Sequence, residues 1–336
     1  MVADTYPAPS AEGALPRPVP DHARHKKTWA PDLIAGVLWR GVTHLGTHRK
    51  VMQLLKLPAM AEAARKNPRF GYKYLTHDYL VRGLTTDQRA ACFLHHYRRM
   101  HDTLVSGTLR QTLDAFITLH EIQTEANRFS ITLNLSRDFD KEGEFSLNLH
   151  VDGEVVFLLA FTIVPGEIVF STEPEILLIS RMQGMKGSYQ GIQTATHALH
   201  NVAPDAVLVA CLQGLAIAFG IKAIGGVSAH RQSSYTPESS QSFTRAYDDF
   251  FKSLEIPLND GGFYLTPVPM ELKPLSLVKK GHKIRTKEKR AFKLALQQAC
   301  TAFFAGQMRT PPVLPAPELD PASAEESTLL ASVAHD

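Results

Sequence analysis

The stretch Glu144–Val164, EFSLNLHVDGEVVFLLAFTIV, decides how the rest of the chain is read. Phe145, Leu147, Leu149 and Val151 alternate with Ser146, Asn148 and His150. That period of two puts apolar side chains on one face of a strand. Asp152-Gly153 follows at once, a two-residue turn whose members tolerate positive φ, and the apolar run Glu154–Val164 returns as a second strand. Upstream, Ser130–Leu135 alternates in the same way. Downstream, Pro165-Gly166 turns the chain and Glu175–Arg181 (EILLISR) reads as another strand. Three or four antiparallel strands joined by short turns are therefore expected.

Outward from this meander the period changes to that of a helix. From Lys27 to about Asn127, apolar residues recur at helical spacing: Leu33, Ile34, Val37 and Leu38, then Val51, Leu54 and Leu55. Thr85 followed three residues later by Gln88 predicts a capping box, with Ala91, Leu94 and Met100 along one side of the helix it opens. Residues 108–125 read as a further amphipathic helix. After the meander comes a glycine-punctuated loop, Met182-Gln183-Gly184-Met185-Lys186-Gly187. Helices are expected over Ile192–Val202 and Pro204–Phe219, the second with Pro204 and Asp205 in its first turn, where both are favoured. Ile221–Ser228 reads as a buried strand, Phe243–Leu254 as a helix and Gly262–Leu265 as a last short strand. The fold class is α+β: a mixed, mostly antiparallel sheet flanked by helices, with an N-terminal helical layer. The expected organisation is a tail at 1–26, a helical region at 27–127, an α+β domain at 128–305 and a proline-rich tail at 306–336. Both tails are too poor in apolar residues to offset their ordering entropy.

Composition excludes several classes. With 44% hydrophobic and 21% charged residues the 336-residue chain is neither disordered nor a coiled coil. The longest apolar stretch, Ala206–Ile221, is shorter than a membrane-spanning helix and reads as buried. Three widely spaced cysteines imply no disulfide framework. The N-terminus has prolines in place of a basic-then-apolar signal layout, so a cytoplasmic location is expected. Charge is uneven. Of 36 basic and 33 acidic residues, nine basic and one acidic fall between Lys273 and Lys293, leaving 27 against 32 elsewhere. That run suits either a solvated helix face or an anion such as a lipid headgroup. Nucleic acid is not expected, since Phe292 is the one aromatic in the run.

The strand–loop–helix around Ile179–Ala195 carries the chemistry. Backbone N–H groups at a helix N-terminus, with Arg181 and Lys186 beside them, suit a phosphate or carboxylate. Neither a Walker loop nor a dinucleotide fingerprint is present. His95, His96 and His101 share one expected helix and His197 and His200 another. No completing ligand motif accompanies either group, so no metal is expected. No Gly-x-Ser-x-Gly elbow occurs, and Cys211 falls inside an apolar helix.

Two resemblances add to this reading. Residues 67 to 290 resemble the VirK/YbjX family of bacterial proteins through Pro68–Leu75, Leu94-His95-His96-Tyr97, Glu142–Leu147, Met182-Gln183-Gly184, Gly225–Ser228, Tyr247-Asp248-Asp249-Phe250 and the basic run after Glu271-Leu272-Lys273. That family is associated with virulence and envelope stress and has no settled biochemical activity. The element order, in turn, is similar to the GNAT acyltransferase fold, whose glycine loop holds the pyrophosphate of acyl-coenzyme A. Here Arg181-x-x-Gly184-x-x-Gly187 is one residue longer than that fold's loop. The resemblance implies a donor site of Arg181, Gln183, Gly184, Lys186 and Gly187, and Tyr247 as the acid that protonates the leaving thiolate. Candidates for the base are Glu173, Glu175 and His230. A histidine acts near neutral pH without tuning, whereas a glutamate needs burial.

The expected function is transfer of an acyl or aminoacyl group from a thioester-type donor, acyl-coenzyme A or an acyl carrier, to a small-molecule or peptide amine. No tightly bound cofactor is expected. The rival expectation is a non-catalytic envelope-stress protein that binds anionic lipid or a partner through the basic segment.

Overall fold

A computed structural model describes residues 31–136 and 141–310. The expected tail at 1–26 lies outside them, as does the second tail beyond residue 310. Residues 306–310 belong to the folded body, with Met308 buried and bridged to Leu104.

Among the described residues five α-helices lead into the sheet: α1 Pro31–Thr43, α2 Leu45–Leu54, α3 Pro58–Lys66, α4 Thr86–Thr103 and α5 Ser106–Asp114. The capping box opens α4 as expected, with Thr85 Oγ1 accepting from the Gln88 amide and the Gln88 side chain accepting from the Thr85 amide. The helix expected at 108–125 does not run through. It stops at Asp114, Ala115 leaves the helical region of φ/ψ, and Ile117–Gln123 becomes strand β1. The stretch ITLHEIQ carries a period of two as well as a helical one. Pairing with the next strand settles the choice.

The remaining strands are β2 Arg128–Leu135, β3 Phe145–Val151, β4 Glu154–Pro165, β5 Glu175–Gly184, β6 Ala223–Val227 and β7 Phe263–Pro267. They form one seven-stranded sheet in sequence order. Every neighbouring pair is antiparallel except β5 and β6. Between those two the chain makes the long crossover that parallel pairing requires, through α6 Tyr189–Ala198 and α7 Pro204–Phe219. Pro204 sits at the start of α7, and Gly220 ends it in the left-handed conformation. A composite helix follows β6, made of α8 Ser240–Phe243, a π-helical turn Thr244–Asp248 and α9 Asp249–Ser253. The last element is α10 Lys283–Gly306. Helix α7 is buried nearly all round because it is packed between α10 and strands β3 and β4. The α+β class and the mostly antiparallel sheet are therefore as expected. Among the described residues no helix is long and apolar enough to cross a membrane.

What ties the N-terminal layer to the sheet is polar. Glu144, fully buried, accepts hydrogen bonds from the Tyr79 and Tyr97 hydroxyls and pairs with the Lys73 ammonium. Lys73 also lies 5.4 Å from the centre of the Phe70 ring. Burial, and then the Glu144 charge, hold both phenols far above their ordinary pKa, so they stay protonated donors. Gly143 precedes Glu144 with φ +148, and a Cβ there would lie 2.9 Å from that of Ala160.

Two buried histidines make stability depend on pH. His96 Nδ1 accepts from the Ile163 amide at 3.1 Å, and burial, then Lys73 and His95, push its pKa well below 6.5. His150 bonds Thr132 Oγ1 at 2.9 Å and is lowered by burial. Both are neutral in the fold, whereas in the unfolded chain they take up a proton near their ordinary value. Their contribution is therefore complete above the unfolded value and is lost as pH falls below it, towards the depressed native values. The slope approaches about 1.4 kcal/mol per pH unit for each histidine. Urea unfolding between neutral and mildly acid pH checks this. His96→Gln, whose amide oxygen can still accept from Ile163, should remove one proton's worth of that slope.

Candidate functional site

Strands β5 and β6 pair only through Leu177–Ile179 and Ile224–Gly226. Beyond Ile179, β5 continues against β4 to Gly184, while β6 ends and the chain turns through Ala229–Arg231. On that side the last residues of β5 thus have no strand partner among the described residues. The carboxyl end of a parallel pair is where open sheets with parallel strands bind their ligands.

Four segments meet there. Strand β5 supplies Arg181, whose guanidinium pairs with the Glu142 carboxylate and donates to Gln183 Oε1. Glu142, nearly fully buried, also accepts from Gln232 Nε2 at 2.9 Å, from Ser233 Oγ at 3.2 Å and from Ser234 Oγ. The π-helical turn supplies Tyr247, 3% exposed. Such turns recur at functional sites because the extra residue re-aims the side chains around it. Burial pushes the Tyr247 pKa up to about 12, while Arg181, the Met182 amide and the Gln232 side chain work in the other direction. Those three groups stand where they would stabilise a phenolate. Burial in turn brings Arg181 down to about 10.

A row of rings connects Tyr247 to the surface. Phe243 stacks on it at 5.8 Å with planes 9° apart, Tyr235 meets Phe243 at 5.9 Å, and exposed His230 meets Tyr235 at 4.8 Å. Strand register extends the site sideways. Asn134, Ser146, Ala160 and Arg181 are successive cross-strand partners and share one face of the sheet. On it, Ser146 Oγ and Asn148 Nδ2 donate to Asn134 Oδ1 at 3.0 and 2.6 Å.

The glycine loop differs from expectation. Met182, Gln183 and Gly184 belong to β5, with Gly184 opposite Phe157, so the loop proper is only residues 185–188. A Cβ on Gly184 would come within 2.8 Å of Ile192 Cδ1, the far end of that side chain, so a larger residue here needs only a shift of the isoleucine. Gly187, at φ +85, is the one that needs glycine's conformational freedom. The amides of Met185 and Ser188 are bonded to Val156 and Met185 carbonyls, at 2.9 and 3.1 Å. Among the described residues those of Lys186, Gly187, Tyr189, Gln190 and Gly191 have no backbone acceptor. The Ser188 side chain does not cap α6. Lys186 and Gly187 are exposed beside them.

Of the residues singled out in the sequence, the structure gathers Arg181, Gln183 and Tyr247, with His230 joined through the rings. Lys186 and Gly187 lie in the loop that follows. Glu175 is elsewhere. It starts β5, roughly 20 Å from Arg181 at strand spacing. There its carboxylate accepts from His95 Nε2 and Arg99 Nε, both at 2.8 Å. Burial works to raise its pKa, and those two bonds outweigh it and hold the group ionised below its ordinary range. Glu173, two residues earlier, lies at that same end of the strand. Glu142 carries part of the family resemblance but is not among the candidate site residues, nor are Gln232, Ser233 and Ser234. The one local signal was Glu142-Gly143-Glu144, two acids around a glycine at the mouth of a strand. Among the described residues no group of three His, Cys, Asp or Glu side chains is placed to hold a metal ion.

No curated protein matches the chain, and no solved structure does. A family model, described as a protein of unknown function (DUF535), matches residues 36–297. This span takes in the Glu144 anchor, the β5–β6 pair, Arg181, Tyr247 and the whole basic run from Lys273 to Lys293. The chain therefore belongs to the DUF535 family, the VirK/YbjX family.

Proposed function

We propose that the chain is an acyltransferase with a GNAT-like sheet, moving an acyl or aminoacyl group from a thioester donor to an amine. The observation that carries this reading is the end of the β5–β6 pairing at Ile179, with the Tyr247 phenol beside Arg181 and the Met182 amide there and the unbonded amides of Lys186, Gly187, Tyr189, Gln190 and Gly191 following it. The mixed sheet with its single parallel pair supports it. The two-helix crossover between β5 and β6 is a departure from that fold.

In this reading the amides of Lys186, Gly187, Tyr189, Gln190 and Gly191 and the Lys186 ammonium hold the phosphates of the donor. The amine nitrogen attacks the thioester carbonyl, a C–N bond forms and the C–S bond breaks. Tyr247 gives its proton to the departing sulfur, and Arg181, the Met182 amide and Gln232 stabilise the phenolate left behind. The proton released by the amine passes to solvent water, with His230 at the outer end of the ring row as its relay, and solvent exchange restores Tyr247. Glu142 fixes Arg181 in place. Most of the rate enhancement comes from holding donor and amine together.

Calorimetric titration with coenzyme A and with a phosphopantetheine-bearing acyl carrier protein tests the donor site. Binding of one of them is expected, weakened roughly tenfold or more by Lys186→Glu, the scale of one charged hydrogen bond. Lys186 is exposed, so the variant should keep its fold. Absence of binding to both probes would overturn the reading.

A further inference from the structure

Among the described residues the side-chain polar contacts of the basic run are those of Lys273 with Glu255 and of Arg290 with the Lys273 carbonyl. The run begins in the turns Leu275–Leu277 and Lys280–His282 and continues into the first half of α10. The first turn of α10 contains no acid, and His282 gives no side-chain cap. Lys283 and Arg285 instead place positive charge at the positive end of the helix dipole, an arrangement that costs stability. Among the described residues, Lys273 is the one member of the run with a carboxylate partner, Glu255 at 3.0 Å. Burial, and then neighbouring cations, lower the pKa of Lys289 and Lys293. A surface that repels itself in this way is relieved by an anion from outside.

The same segment exposes aliphatic side chains. Leu277 is 65% and Ile284 75% exposed, on either side of Lys279, Lys280 and Lys283, with Leu272 and Leu294 also open to solvent. Lone exposed leucines are ordinary. A set of them within a cluster of lysines is the composition of a surface that lies on a bilayer, with apolar groups at the acyl boundary and ammonium groups among phosphates. A nucleic-acid strand would use the charges and leave the aliphatic groups idle. The one aromatic available for stacking, Phe292, is half-buried and packed 5.0 Å from the His200 ring.

We infer that the segment from Leu272 to Leu294 is a docking surface for an anionic phospholipid bilayer, held by its lysines and seated by Leu277 and Ile284. The inference does not depend on the acyltransferase reading.

Co-sedimentation of the full chain with phosphatidylcholine vesicles, with and without phosphatidylglycerol and at low and high salt, tests it. Partition onto the phosphatidylglycerol vesicles alone is expected, falling steeply with salt. Replacing Lys279, Lys280 and Lys287 together by glutamine should lower it about 100-fold, roughly fivefold per lysine. Leu277→Ser with Ile284→Ser should lower it several-fold and leave a residue that high salt abolishes. All five positions are exposed, so unchanged thermal unfolding of the variants is expected and separates lost docking from lost fold. Equal partition onto pure phosphatidylcholine would overturn the inference, as would indifference to the lysine or the aliphatic changes. Preference for a single-stranded RNA over the anionic vesicles would do the same.

Discussion

Glu144→Gln should lower the free energy of unfolding by about 3–5 kcal/mol, the scale expected when one partner of a buried ion pair is removed. The substitution keeps the shape of the side chain, so packing changes little. What it leaves is a Lys73 ammonium, 2% exposed, with no carboxylate to balance it, amid the rings of Phe70, Phe93 and Tyr97. Lys73→Met should cost a similar amount, because it strands the opposite charge against two phenols. The double variant should cost clearly less than the two single changes added together, since neither charge then remains. Urea unfolding of the four proteins closes this cycle. If Glu144→Gln fell within 1 kcal/mol of the parent (small beside the roughly 3–5 kcal/mol expected), the carboxylate would not be what joins the N-terminal layer to the sheet. A large effect is expected because a whole layer, from the 3-10 turn Lys73–Leu75 to α4, meets the start of β3 at this point.

Tyr247→Phe carries the second large effect, and it bears on chemistry. Under the proposed mechanism it should lower the turnover of acyl transfer by roughly 10²–10⁴-fold, the usual range for a positioned general acid. Affinity for coenzyme A should stay unchanged, because the phosphates are held at residues 186–191. With the phenol held up to about 12, the rate of the parent should show no descending limb from Tyr247 across the ordinary working range of pH. The variant loses one hydroxyl beside Arg181, Met182 and Gln232, so its melting temperature is measured alongside. A variant that folds and transfers acyl groups at the parent's rate would remove Tyr247 from the reaction.

The basic run and the site beside β5 lie on different parts of the chain, and they answer to different measurements. Loss of vesicle partition by the lysine variants leaves the donor titration untouched. Failure of the donor titration likewise leaves the docking surface standing.

Local pattern reached far into this protein wherever the deciding contacts are short in sequence. The Asp152-Gly153 hairpin, the Thr85–Gln88 capping box, Pro204 at the start of α7 and Gly220 at its end all involve residues within a few positions of each other. Their geometry is set by backbone sterics and nearby hydrogen bonds, which the order of residues encodes directly. Alternation marked β3 for a similar reason. Burial on one face selects every second residue whatever the partner strand is.

The strand at Ile117–Gln123 and the extension of β5 through Gly184 were decided by tertiary structure. A strand's hydrogen bonds belong to its neighbour, and only register showed that Ile117 faces Leu133 and Gly184 faces Phe157. The same holds for the candidate site. Arg181 and Tyr247 stood out as residue types, but the carboxylate that holds Arg181 comes from Glu142, and the amide and hydroxyls that hold Glu142 come from Gln232, Ser233 and Ser234. No spacing in the chain announces those pairings, because folding the sheet is what removes the water that would otherwise satisfy each of them separately.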